Sequence, residues 1–181
     1  MEHSPARAAA TIIAARRHKR RMPQIDHKHQ PESLIEAYAV QDQVVKYIGG
    51  EAEGWKIGCT TPIMQKYMSI DHPCSGGVMA RSVHFDHFEV PYTDFNHVGV
   101  ECEIAVTLGA DLPPNSQPYD SENIRIAIQN CRAAMEIVDD RYADFRTLST
   151  ESMIVDDFFQ SACVLGPEIA DWQNIDLAQM V

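Results

Sequence analysis

Glu101 and Glu103 stand two residues apart in Val98-Gly-Val-Glu-Cys-Glu-Ile-Ala-Val-Thr-Leu108. The alternation there is that of a β-strand, so both carboxylates point to one face, with Gly99 and Ala105. Val98, Val100, Cys102, Ile104 and Val106 take the other face, which is expected to be core. Two like charges on one face repel each other. A cation between them removes the repulsion, and carboxylate oxygens suit Mg²⁺, Ca²⁺ or Mn²⁺. A half-exposed strand with a solvated acidic face shows the same pattern. The rest of the chain has to decide between the two.

Glu136 is the discriminating residue. It sits alone in the apolar run Ala133-Ala-Met-Glu-Ile-Val138. A buried ionised carboxylate is costly unless it is paired, hydrogen-bonded or bound to a metal. It could face outward on an edge strand or pair with Arg132 or Arg141. It could also add a third oxygen to the Glu101/Glu103 pair, leaving coordination positions for water and a bidentate ligand. Lys56, in Gly54-Trp-Lys-Ile-Gly58, is flanked by apolar residues. Burial would lower its pKa toward acid–base use, whereas a surface lysine would snorkel. His84 and His87 have H-x-x-H spacing with no companion motif and read as surface residues. No Gly-rich phosphate loop, G-x-S-x-G or Ser/His/Asp arrangement is present.

The elements that must position these residues follow from local pattern. Ser4-Pro5 opens an Ala-rich helix running to about Arg21, with Ser4 as N-cap and a cationic last turn. A second helix spans Pro31 to Ile48, with Leu34, Tyr38, Val45 and Ile48 at helical spacing and Ala37, Val40 and Val44 widening the stripe. Gly49-Gly50 ends it. Trp55–Gly58 is strand-like. Thr60 or Thr61 caps a short helix through Met68. Asp71–Gly77 reads as a loop from its Pro and Gly content. Short strands and turns lead to the glutamate strand, and a Pro-rich turn follows it. Ser121 to Cys131 reads as a helix with Ser121 as N-cap, Ala134–Val138 as a short strand, and Asp139–Asp144 as a turn. Met153–Phe159 fits either strand or helix, and Ala162–Leu165 is a strand.

At 181 residues the chain suits one domain with an appended segment. The division expected is a helical region over 1–50 and a mixed-β catalytic-type domain over 51–181. A net charge of −11 argues against a nucleic-acid partner. The basic end (Arg7, Arg16, Arg17, Lys19, Arg20, Arg21, Lys28) is either solvated or docked on the acidic body. Five cysteines with no C-x-x-C spacing fit reduced thiols in a cytoplasmic protein. No apolar run reaches membrane-span length, so no membrane partner is expected.

Several short motifs occur in order: Lys56-Ile-Gly-x-Thr60, Asp71-x-Pro73 with Gly76, Glu101-x-Glu103-Ile-Ala, Glu136-Ile-Val-Asp-x-Arg141-x-Ala143-Asp144, and Asp156 before Val164-Leu-Gly166. Together they resemble the 2-keto-4-pentenoate hydratase and 4-oxalocrotonate decarboxylase branch of the fumarylacetoacetate hydrolase superfamily, over about residues 31–167. The resemblance implies an α+β fold, with N-terminal helices followed by a mixed β-sheet roll. It implies Mg²⁺ or Mn²⁺ held by Glu101, Glu103 and Glu136, catalytic Lys56 and Asp71, and a small 2-oxo or 2-hydroxydienoic acid bound by Lys56, Gly58 and Asp156. It further implies a lyase of aromatic catabolism (hydratase, or alternatively decarboxylase) that forms a homo-oligomer or pairs with a paralogous subunit, one form of which is a non-catalytic metal-binding partner. Relatives carry a small Asn-Ala-Ser-Ser-like run where this chain has Asp157-Phe-Phe-Gln160. They also continue past the equivalent of Val181, so the fold is expected to be incomplete at its C-terminal end.

Overall fold

The computed structural model describes residues 5–22, 24–49 and 52–176. The expectations for Ser4, Gly50 and the last five residues lie outside these. Two helices come first, α1 (Pro5–His18) and α2 (Leu34–Gly49). They bury Ala8, Ala9, Ile12 and Ile13 of α1 against Ala37, Val40 and Val44 of α2. The flanking Leu34, Tyr38 and Ile48 pack at the margin. Gln41, one turn from Val44, is also buried and is satisfied by donating to the carbonyls of Ser75 (3.0 Å) and Ile154 (2.9 Å). Its amide thereby ties α2 to the segments that carry the site.

A two-stranded antiparallel sheet follows, β1 (Ala52–Gly58) against β2 (Cys74–Met79), with Lys56 opposite Gly76. Between them lies α3 (Pro62–Tyr67), capped by Thr61, whose side chain accepts from the Met64 amide at 3.3 Å. The expected loop over Asp71–Gly77 is therefore confined to 71–73. Its glycines serve a strand because other groups crowd them. A Cβ on Gly76 would lie 2.8 Å from Asp157 Oδ1 and 3.0 Å from Lys56 Cγ.

The second sheet has four strands in the order β3-β6-β5-β4: β3 (Val83–Phe85), β4 (Val98–Leu108), β5 (Ile128–Asp139) and β6 (Gln160–Glu168). β3 runs parallel to β6; the other pairings are antiparallel. The sheet is mixed and the fold is α+β, as expected. The helix read over 121–131 is shorter, α4 (Ser121–Ala127), and its cap is Asp120 rather than Ser121. β5 starts at Ile128 because pairing with β4 claims the following residues. The ambiguous stretch before β6 is α5 (Thr150–Val155), capped by Ser149, followed by a tight turn.

One expectation is reversed. β4 is the edge of its sheet, and its apolar face is open: Val100 is 61% exposed and Met135 beside it 48%. On β5, the face carrying Ala134 and Glu136 is the buried one. Strand alternation separates two faces but does not say which one the rest of the chain covers. Among the described residues no helix is long and apolar enough to cross a membrane.

Candidate functional site

The register of β4 on β5 places Glu101 directly opposite Glu136, and Glu103 opposite Ala134. Facing residues in an antiparallel pair share one side of the sheet, so all three glutamates project together. One carboxylate oxygen from each lies within 4.8 Å of the other two. Glu101 and Glu103 are exposed and Glu136 is buried. Like charges placed directly opposite each other destabilise a sheet. The arrangement therefore carries a built-in cost that a cation would relieve. Three hard oxygen donors on a rigid sheet fit Mg²⁺ or Mn²⁺, with room left for exogenous ligands.

Lys56 reaches this cluster from the other sheet. Its Nζ donates to Glu136 Oε1 at 2.6 Å, and both side chains are largely buried. The partners considered for Glu136 are engaged elsewhere: Arg132 bonds Glu168 and the Gly166 carbonyl, and Arg141 bonds Asp156. Burial pushes the Glu136 pKa above its ordinary value. Lys56 opposes that shift, while Glu101 and Glu103 reinforce it. Cys163, opposite Glu136 on β6, has its thiol pKa raised by burial and then by Glu136 and Glu103. It is correspondingly less prone to supply a thiolate ligand.

The other expected site residues take different positions. Gly58 ends β1, with open space where a Cβ would be. Asp71 lies in the loop before β2, its side chain 98% exposed and paired with His72 at 2.7 Å. That hydrogen bond holds its carboxyl below the usual range. Asp156, expected to touch substrate, is wholly buried. Its two carboxylate oxygens accept from Arg16 and from Arg141, each at 2.8 Å, and its carbonyl accepts from Arg16 at 2.7 Å. Its structural work is to anchor the turn that follows.

That turn is Asp157-Phe-Phe-Gln160, the run where the sequence departs from the small residues of the family it resembles. Asp157 accepts the Gly77 amide at 2.7 Å, and the Phe158 carbonyl lies 3.5 Å from Lys56 Nζ. Burial raises the Asp157 pKa, against the opposing pull of Arg16. Arg16 was missed. The signal for it was an arginine four residues after Ile12, on the stripe that α1 buries.

Known proteins share the sequence pattern and the fold. No protein-family model matches the chain. A 2-keto-4-pentenoate hydratase of Burkholderia vietnamiensis is 30% identical over 144 residues, 78% of this chain and 54% of that protein. The chain is a homologue of these hydratases. The relationship extends to a 4-oxalocrotonate decarboxylase of a Pseudomonas species, 29% identical over 118 residues, 65% of this chain and 44% of that protein. The fold matches the 4-oxalocrotonate decarboxylase of Pseudomonas putida G7, complexed with magnesium and adipate, with a TM-score of 0.83 and 21% identity. That match covers 94% of this chain and 65% of the other. The chain spans about half the length of the curated relatives it matches.

Proposed function

We propose that this chain forms a divalent-metal centre for hydration of a 2-hydroxy-2,4-dienoate to a 4-hydroxy-2-oxo acid, a step of aromatic catabolism. The observation that carries the reading is the convergence of Glu101, Glu103 and Glu136 within 4.8 Å, with Lys56 on Glu136 at 2.6 Å. Glu101, Glu103 and Glu136 would hold Mg²⁺ or Mn²⁺, which would supply Lewis acidity toward a 2-oxo acid. The remaining work falls to the protein's own groups. Lys56 is nearly enclosed, and its ammonium is fixed in direction by Glu136 and the Phe158 carbonyl. It is placed to hold the substrate carboxylate or to carry a proton to the far carbon of the dienoate. The open space at Gly58 leaves room beside it. Asp71, exposed and paired with His72 in the loop before β2, is given no step in this reading.

A second reading is decarboxylation of a 4-oxalocrotonate-like 2-oxo acid, favoured by the fold match to a decarboxylase that holds magnesium and a dicarboxylate. A third is a non-catalytic, metal-binding subunit that pairs with a paralogue or with a second copy. The open apolar face of β4 and β5 favours that one.

The test is turnover of 2-hydroxypenta-2,4-dienoate by the purified protein with Mg²⁺, followed by loss of diene absorbance. Chelation with EDTA is expected to abolish it. Lys56→Ala is expected to lower kcat/KM by roughly 10²–10⁴-fold, the usual contribution of a positioned proton-transfer group. Unchanged turnover in Lys56→Ala removes that residue from the chemistry. An inert wild type that consumes 4-oxalocrotonate supports the decarboxylase instead, and inertness toward both supports the partner subunit.

A further inference from the structure

Asp157, Phe158 and Phe159 have φ of 58°, 47° and 67°. Three successive side-chain-bearing residues in the left-handed region form a costly turn, and a phenylalanine has no polar group with which to offset the cost locally. The surroundings hold the turn on every side. Asp156 before it is gripped by Arg16 and Arg141. Asp157 is bound to the Gly77 amide, and the Phe159 amide donates to the Asp156 carbonyl at 2.8 Å. The two aromatic rings have different neighbours. Phe159 packs inward against Tyr142 and Phe145, with ring centroids 5.8 and 6.5 Å away. Phe158 presents its ring to Lys56, with Nζ 5.8 Å from the centroid, and its carbonyl to the same ammonium. Both rings touch the core, and the strained backbone additionally sets the Phe158 ring and carbonyl beside the Lys56 ammonium.

We propose that Phe158 is the specificity-determining residue of this centre: its ring closes the space beside Lys56 and restricts the site to 2-oxo acids with short, slender tails. The inference rests on the metal-centre reading above. The Phe158 ring lies 5.8 Å from the ammonium that this reading gives to the substrate, and that ammonium is 2.6 Å from Glu136, so a bulky group bound beside it meets the ring. Phe158 is half-buried and also packs on the core, so the test has to separate selectivity from stability.

The experiment titrates the Mg²⁺-loaded protein calorimetrically with 2-oxopentanoate and with 5-phenyl-2-oxopentanoate, for wild type, Phe158→Gly and Phe158→Leu. Glycine accepts φ near 47° without strain, so the turn is retained while the ring is lost. The wild type is expected to prefer the short acid. Phe158→Gly is expected to move the ratio of the two Kd values at least about tenfold toward the phenyl acid, with Phe158→Leu between them. That ratio does not depend on the folded fraction, so a purely structural role would leave it unchanged. A wild type that binds both acids equally overturns the proposal, as does an unmoved ratio in variants that still bind. If the glycine variant fails to fold, the same ratio in Phe158→Leu decides. A wild type that binds neither acid with Mg²⁺ removes the metal-centre reading and this proposal together. Binding of the short acid with an unmoved ratio removes only the role of Phe158.

Discussion

Saturating Mn²⁺ raises the melting midpoint of the wild-type protein and leaves Glu101→Gln and Glu136→Gln where they were. A ligand that binds only the folded state adds about 2.7 kcal/mol at 100 times its Kd. For a chain of this size that corresponds to roughly 5–10 °C. The two variants are expected to differ without metal. Glu101 is exposed and stands opposite Glu136, so Glu101→Gln removes a like-charge contact and the metal-free protein melts at the wild-type midpoint or slightly above it. Glu136→Gln takes the partner from Lys56 in a largely buried ion pair, so it costs stability as well as the metal response. The metal response also has a pH sign. Metal binds the ionised carboxylates, and burial raises the Glu136 pKa above its ordinary value. Affinity therefore falls as pH drops through that raised pKa, earlier in an acid titration than an exposed glutamate would allow. Melts with and without Mn²⁺ across this pH range check both statements. A metal response that survives in both variants would place the ion elsewhere.

Asp156→Ala is expected to be the most destabilising single substitution away from the metal cluster. It leaves the guanidinium groups of Arg16 and Arg141 in the interior without the carboxylate that holds both. Removing one partner from a buried pair costs about 3–5 kcal/mol. Set against a total stability on the order of 5–15 kcal/mol, the loss lowers the midpoint by on the order of 10 °C. The consequence reaches the site, because the same carboxylate anchors the turn that presents Phe158 to Lys56. Arg146→Ala breaks the exposed pair with Asp144 while leaving Asp144 as the cap of the turn that follows it, and is the control, with little measurable change expected. Chemical denaturation of the two variants side by side gives the comparison. Equal stability in both would show that the buried network contributes nothing.

The local elements were legible wherever their signal was local. β4 spans Val98–Leu108, as its alternation indicates, and Thr61 caps the helix that begins at Pro62. A lone glutamate in Ala-Ala-Met-Glu-Ile-Val needs a reason to be there, which left an ion pair and a metal ligand open, and the family resemblance supplied the set of three. What could not be read depended on contacts distant in sequence. The partner of Glu136 is Lys56, eighty residues earlier, and not a nearby arginine. Asp156 is bound by Arg16, one hundred and forty residues away, which moves it from substrate contact to scaffold. Ser75-Gly76-Gly77 has the composition of a loop, yet it pairs as a strand because Lys56 and Asp157 need the space a side chain would fill. The core face expected for β4 is reversed for the same reason. Its alternation pointed to the side of Val100 and Cys102, whereas that side is open and the opposite side of the sheet is the one on which Glu136 is buried.

The most direct test of the central claim, that three glutamates form a centre to which a 2-oxo acid adds, is the Kd of Mn²⁺ measured with and without 2-oxopentanoate. Binding of one to the protein must strengthen binding of the other by the same factor if the two share a centre. The expected result is Mn²⁺ binding at least about fivefold tighter with the 2-oxo acid, the lower end of ordinary coupling, and unchanged with pentanoate, which lacks the second chelating oxygen. An Mn²⁺ affinity indifferent to the 2-oxo acid, or no saturable Mn²⁺ binding at all, would contradict it.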